Sequence, residues 1–226
     1  MEGNYINRND VEPHSFTEIL LLWLKVFQMN EGFFASELPR SSVYSTVFGL
    51  LIYTGVTVFL GVIQNSIGTL ANELQKTAPD ISTGQFGMCY PFILLVATPL
   101  GYYIGVGITH FFAMLYGGKG TFSNLAYLLS LFYFPLGIIA NLVNLIPCVG
   151  IIVSLGISIY MIVLSVRAIK VNYQLTTGKA VWAELTPVVA LIALIACGSI
   201  AMVSMLGPTI GSVFSNVIQN LGTPVP

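Results

Sequence analysis

A short glycine-rich stretch, Tyr116-Gly-Gly-Lys-Gly-Thr121, is the part of the sequence that most resembles a binding motif. Phosphate-binding loops end in Gly-Lys-Ser/Thr, four residues after a first glycine, and join a strand to a helix. This stretch lacks the four-residue gap and joins two apolar segments. It therefore indicates a tight turn, in which Gly117 and Gly118 permit unusual backbone angles and Lys119 lies at lipid headgroups.

His110 lies within an apolar segment, about two helical turns before Lys119. An ionisable side chain at membrane depth is a functional hypothesis by default. The predicted membrane spans contain no Asp or Glu, however, so a proton relay or an ion-coupled site would have no carboxylate partner. We interpret His110 as a packing residue that hydrogen-bonds to a neighbouring helix, and keep a functional role as the alternative.

The acidic residues are confined to the N-terminal part, the connection after the first span, and Glu184. A nucleophile with a His and carboxylate pair, or a zinc site at depth, cannot be assembled from such a distribution. We therefore expect no enzyme, no cofactor and no metal site. Cys89 and Cys148 are expected at the outer ends of spans; a disulfide between them is possible there, although free thiols are the favoured interpretation.

The charges are missing from most of the chain. Asp, Glu, Lys and Arg make up 8% of the residues, against about a quarter in soluble domains. The blocks 41–72, 81–118, 120–166 and 185–226 contain none of them. Since about 20 apolar residues cross a bilayer as a helix, the sequence predicts an all-α integral membrane protein. With a net charge of −1 it offers no basic surface for nucleic acid.

Five spans are predicted, because the third block is too long for one helix and divides at the turn-forming stretch Asn141–Pro147. They lie at about 43–63, 90–116, 122–140, 146–166 and 187–206. Residues 1–40 form a cytoplasmic N-terminal segment and 207–226 a short uncharged tail. Thr186 and Pro187 are expected to start the fifth helix, and Gly207-Pro208 to end it.

Basic residues set the orientation of membrane proteins. An N-terminus inside and a C-terminus outside place all but one of the eight Lys and Arg residues on the cytoplasmic side. Three of them, Arg167, Lys170 and Lys179, lie between the fourth and fifth spans and form a candidate contact segment.

The stretch Ser15–Met29 predicts an amphipathic helix, with Ser15 and Glu18 as a capping box. It is too short to span a bilayer. It fits a helix lying along the cytoplasmic leaflet, or alternatively one packed on the end of the bundle. Small residues also recur four apart, as at Gly101 and Gly105, which favours close packing between helices or, alternatively, a homo-oligomer surface.

Thr109–Glu184 resembles the Yip family, the Ypt/Rab-interacting membrane proteins and their bacterial relatives. The pieces that carry the likeness are His110-Phe-Phe-Ala-Met-Leu-Tyr116, Gly117-Gly-Lys-Gly-Thr-Phe122, Tyr133-Phe-Pro135, Ile146-Pro-Cys-Val-Gly150, Arg167-Ala-Ile-Lys170 and Tyr173-Gln-Leu-Thr-Thr-Gly-Lys-Ala180. The Phe33-Phe34 pair before the first span is similar to bacterial members.

The resemblance implies a five-span bundle with a cytoplasmic N-terminus. For eukaryotic members it also implies partners in vesicle transport, including prenylated small GTPases. The sequence has no Asp-Leu-Tyr-Gly-Pro element and its soluble N-terminus is short, which does not favour GTPase binding. We expect a bacterial-type member in a cytoplasmic membrane.

Two functions fit these patterns. The first is a non-enzymatic scaffold that organises the membrane or binds a protein partner through the 15–29 helix and the 167–179 segment. The second is a small transporter, channel or lipid-moving protein, with a polar path lined by His110, Asn124, Asn141 and Asn144.

Overall fold

The computed structural model describes residues 15–75, 90–146 and 149–221. The described residues form seven α-helices: α1 (Phe16–Leu24), α2 (Glu31–Glu37), α3 (Val43–Gln75), α4 (Tyr90–Leu115), α5 (Phe122–Val143), α6 (Val149–Tyr173) and α7 (Thr177–Leu221). Short 3₁₀ turns at Val26–Gln28 and Leu38–Arg40 follow α1 and α2.

Five of these helices, α3 to α7, are long and apolar enough to cross a membrane. The prediction of an all-α, five-span membrane protein is confirmed. The N-in orientation stays a prediction. Cys89, Pro147 and Cys148 lie outside the described residues.

Several helices extend beyond the predicted spans. The third helix reaches Gln75 and the sixth reaches Tyr173, whereas the spans were expected to end near 63 and 166. The largest difference is α7, which begins at Thr177 instead of Pro187 and continues through Gly207-Pro208 to Leu221. Hydropathy detects the part of a helix that lies in lipid, but backbone hydrogen bonding continues into the polar residues on either side.

The core is built around α5. Its side chains from Leu125 to Leu136 are buried almost without interruption. It packs against α3 and α6, and also against α4 and α1. Ala180 and Ala183 at the start of α7 are fully buried in the same core. A central helix that is apolar on all sides is expected where neighbours surround it completely.

The N-terminal segment, residues 15–40, packs on the bundle. The predicted capping box is present, with the Ser15 N–H donating to Glu18 Oε2 at 2.9 Å. On one side Ile19, Trp23 and Val26 are buried against the bundle. On the other side the large apolar residues are exposed, namely Leu21, Leu24 and Phe27. Of the two arrangements predicted for this helix, the structure has the one that packs on the bundle, and its outer face is apolar enough to meet lipid as well.

The chain divides into two compact units, residues 1–184 and 185–226. The first contains the N-terminal segment, α3 to α6 and the first eight residues of α7. The second unit, where the structure describes it, is the uncharged remainder of α7.

Candidate functional site

The glycine-rich stretch follows the end of α4 at Leu115 and forms the turn into α5. Gly117 has a φ of +89°, a left-handed conformation that glycine adopts at little cost. The N–H of Gly118 donates to Ala113 O at 3.0 Å and that of Gly117 to Met114 O at 2.9 Å. This pair of bonds is the Schellman motif that ends many helices. Gly117 therefore occupies the left-handed position of this motif, which glycine adopts at little cost because it has no Cβ.

The next glycines allow the turn to touch the end of α6. A Cβ added at Gly118 would lie 2.7 Å from Tyr173 Cβ, and one at Gly120 would lie 2.6 Å from Asn172 O. The Lys119 N–H donates to Tyr173 O at 3.3 Å, and Asn172 Nδ2 donates to Thr121 O at 3.1 Å. The turn therefore packs directly against the end of α6, and the Lys119 side chain remains exposed.

His110 belongs to the same cluster. Its Nδ1 is hydrogen-bonded to the hydroxyl of Tyr173. The edge of the ring also packs against Phe122, with the ring centroids 5.8 Å apart. His110 thus ties α4 to α6 and α5. Its interpretation as a packing residue stays a prediction.

Two of the three candidate basic residues hold the N-terminal segment. Arg167 Nη1 donates to Met29 O at 3.0 Å. Lys170 Nζ contacts both carboxylate oxygens of Glu31 at 2.8 Å. Lys179, in contrast, is exposed near the start of α7. The 167–179 segment is therefore divided into an inward-facing part, which fixes the N-terminal segment, and an outward-facing part.

Glu37 is a residue that sequence reasoning missed. It lies in α2 with only 6% of its surface exposed, and its Oε2 accepts a hydrogen bond from the Tyr127 hydroxyl at 3.0 Å. A carboxyl group buried this well needs such partners, because its desolvation would otherwise be costly. No signal in the sequence distinguishes Glu37 from the exposed acids around it.

Glu184 is the second missed carboxyl group, and it corrects the statement that no acid lies in a span. Because α7 begins at Thr177, Glu184 falls inside the candidate membrane span Thr177–Ser204. Its side chain is hydrogen-bonded to Ser165 on α6. The Ser165 hydroxyl in turn donates to the Tyr133 hydroxyl on α5 at 3.4 Å. A polar chain of three side chains therefore links α7, α6 and α5 inside the first unit.

The asparagines of the predicted polar path have separate partners. Asn124 Oδ1 accepts from Ser41 at 2.8 Å, and Asn144 Oδ1 accepts from Ser154 at 2.9 Å. Asn141 Nδ2 approaches Thr57 at 3.4 Å, and its carbonyl oxygen accepts from Gln64 at 3.2 Å. Asn124 lies near the start of α5, whereas Asn141 and Asn144 lie at its other end. The structure does not bring these residues together with His110.

Five helices long and apolar enough to cross a membrane, of which α5 is the buried centre of the core, and an anchored N-terminal segment define a polytopic α-helical membrane protein. The chain matches the Yip1 domain family over residues 24–198, which is well over half of its length. It belongs to the Yip family, as the resemblance indicated. No curated protein and no solved structure matches the chain.

Proposed function

We propose that this Yip-family protein is a non-enzymatic scaffold that binds an acidic protein partner at the end of the bundle where the α4–α5 turn lies. The observation that carries the proposal is the set of exposed basic side chains on this end. Lys25 and Arg40 are exposed on the N-terminal segment, Lys119 on the α4–α5 turn and Lys179 on α7. We call these four residues the basic set.

The backbone that carries the basic set is held in place by contacts with the bundle. The Arg167 and Lys170 contacts hold the N-terminal segment to α6, and the bond from Tyr127 to Glu37 holds it to α5. The Lys119 turn is fixed by its bond to Tyr173 O. Charges on a pre-organised surface select an oppositely charged partner and accelerate its association.

Other polar side chains at this end of the bundle make structural contacts, which favours a scaffold over a catalytic site. His110 is bonded to Tyr173, and Lys170 is paired with Glu31. The exposed Leu21, Leu24 and Phe27 extend the surface with an apolar strip that suits the lipid interface. A partner recruited here would lie directly against the membrane, which is how the scaffold would organise it.

The test is site-specific photo-crosslinking in native membranes. A photoreactive residue is placed at Gln28 or Thr176, both exposed near the basic set, and at Leu142 on the opposite end of α5 as a control. A variant with Lys25, Lys119 and Lys179 changed to Gln removes charge, and the matched Lys→Arg variant preserves it.

We expect a discrete protein adduct from Gln28 and Thr176 that the Gln variant loses and the Arg variant keeps. The yield in the Gln variant should fall by about tenfold, corresponding to a loss of about 1.4 kcal/mol in binding. An adduct that forms equally well from Leu142, or one that persists in the Gln variant, contradicts the proposal. The absence of any discrete adduct contradicts it as well.

A further inference from the structure

A groove of about 340 Å³ lies between α3, α4 and α5, in the part of the bundle expected within the hydrocarbon region. Its α4 side is formed around Gly101 and Gly105, and its opposite walls carry Tyr53, Tyr133 and Phe134. The aromatic walls are packed against one another, since the rings of Tyr53 and Phe134 stack with centroids 5.3 Å apart. The lining is aromatic, aliphatic and hydroxyl-bearing, which suits an uncharged and mainly apolar occupant.

The two glycines of α4 open this groove. A Cβ added at Gly101 or Gly105 would meet no atom within 4 Å. The small-residue stripe was expected to let helices approach closely, but among the residues that the structure describes no atom of another helix lies within 4 Å of these two Cβ positions. Unoccupied space therefore runs along α4 beside these two glycines. The neighbouring residues Leu100 and Ile104 on the same helix have exposed apolar side chains.

The dimensions distinguish between possible occupants. The lining runs from Ala97 to Thr109, which is about 18 Å along a helix at 1.5 Å per residue. Spread over that length, 340 Å³ leaves a mean cross-section of about 19 Å². A helix at least 10 Å in diameter has a cross-section of about 80 Å² and could lie over the groove but not enter it. A single hydrocarbon chain, with contact distances of about 4 Å between carbon atoms, needs no more than about 16 Å².

The groove also has the depth of a lipid chain. Thr109 and Ala97 lie about 9 Å and 27 Å from the Leu115 end of α4, at 1.5 Å per residue. A groove in this position begins near the headgroups on the α4–α5 turn side and passes the middle of a hydrocarbon core about 30 Å thick. If it stayed empty, its aromatic walls would lose their dispersion contacts on that side.

We propose that this groove binds one acyl chain of a phospholipid from the leaflet on the α4–α5 turn side. The headgroup lies beyond Thr109, near His110 and the exposed Lys119. The groove walls hold the acyl chain by van der Waals packing. The hydrophobic effect does not drive this binding, because the surrounding lipid is as apolar as the groove. This proposal does not depend on the proposed partner surface, with which the groove shares only the nearby Lys119.

The experiment fills the groove without disturbing the fold. Gly105→Leu and Gly101→Leu each start a side chain at a Cβ position that has no described protein atom within 4 Å. The matched control is Gly156→Leu on α6, where an added Cβ also meets nothing within 4 Å. Each protein is reconstituted into phosphatidylethanolamine vesicles that contain a minor fraction of the same lipid with a diazirine in the middle of one acyl chain. After photolysis, adducts are mapped by peptide mass spectrometry.

We expect adducts concentrated on peptides that contain Tyr53, Tyr102 and Tyr133, reduced by about tenfold in the Gly105→Leu variant and unchanged in the Gly156→Leu variant. Thermal unfolding of the wild type and the three variants shows whether each is folded, and Gly101→Leu provides a second groove variant if Gly105→Leu is not folded.

Three results would overturn the proposal. One is labelling spread evenly over all lipid-facing helices. The second is equal labelling in the groove variants and the control. The third is a dimer of the chain, trapped in the same vesicles by a bifunctional cross-linker, that the groove variants abolish, since a second copy would then occupy this face.

Discussion

The glycines of the α4–α5 turn and the glycines of the groove meet opposite surroundings, although both pairs adjoin the same helix. A Cβ at Gly118 or Gly120 would lie within 2.7 Å of α6 atoms, whereas one at Gly101 or Gly105 would meet nothing within 4 Å. Glycine in the turn lets two backbones touch, and glycine in the groove leaves space for another molecule. Glycine spacing alone therefore does not tell packing from a binding site in a membrane helix.

The largest difference should appear when alanine replaces one glycine in each region. In Gly120→Ala the new methyl group meets the Asn172 backbone oxygen at 2.6 Å, and a backbone atom cannot move aside without shifting the turn. We expect a loss of about 3 kcal/mol or more in the free energy of unfolding, measured by detergent titration. Gly101→Ala should be neutral or stabilising by up to about 1 kcal/mol, because it meets no atom and removes a flexible residue from a helix. Equal losses in the two variants would mean that the two regions are packed alike.

The second prediction compares a tyrosine hydroxyl bonded to the N-terminal segment with one at the groove. Tyr127→Phe removes a 3.0 Å hydrogen bond to the buried Glu37 carboxyl group, and hydrogen bonds to charged groups contribute about 1.5–3 kcal/mol. Tyr133→Phe at the groove removes only a 3.4 Å contact with Ser165, so we expect a loss below about 1 kcal/mol. Thermal or detergent unfolding measures both.

A double-mutant cycle with Glu37→Gln identifies the cause of the larger effect. If the Tyr127 effect persists in the Glu37→Gln background, the bond between them is not its source.

Much of the fold could be predicted because lipid excludes charge. The charge-free blocks located the five spans, and the Asn/Pro stretch near 141–147 correctly divided the longest block into α5 and α6. The ends of the helices could not be predicted in the same way, since Lys179 and Glu184 are polar but still helical. That one boundary placed Glu184 outside the membrane in the sequence-based view and inside a candidate span in the structure.

Only the parts of the candidate site that are formed by residues close together in the sequence could be predicted. A turn at Gly117–Gly120 follows from composition, but its contact with Asn172 and Tyr173 joins residues about fifty positions apart. The same holds for Glu37, whose partner Tyr127 is 90 residues away. Long-range pairs of this kind leave no periodic signal, so the basic residues that anchor and those that remain exposed could not be separated in advance.

The third prediction concerns the ends of α4 and α6, which both close with a left-handed residue. At the end of α4 it is Gly117, and at the end of α6 it is Gln174, with a φ of 54°. The Leu175 N–H donates to Lys170 O at 3.3 Å, which is the longer-range bond of a Schellman motif. Since an L side chain costs about 1 kcal/mol in this conformation, Gln174→Gly should stabilise the protein by about that amount and Gly117→Ala should destabilise it similarly. A shift of the unfolding midpoint in the same direction for both variants would contradict this assignment.

The smallest effect should come from the ion pair between Lys170 of α6 and Glu31 of the N-terminal segment. Lys170 and Glu31 have side-chain exposures of 31% and 49%, and pairs this accessible to water contribute at most about 1 kcal/mol. Lys170→Gln should therefore change stability by less than that, and the change should shrink as salt is added. Arg167→Gln should lower the stability more, because it removes the hydrogen bond from Arg167 to Met29 O and Met29 is buried. Proteolysis of residues 15–40 at low and high salt compares the two variants: faster cleavage in Lys170→Gln than in Arg167→Gln would show that charge, and not the buried contact, holds the N-terminal segment on the bundle.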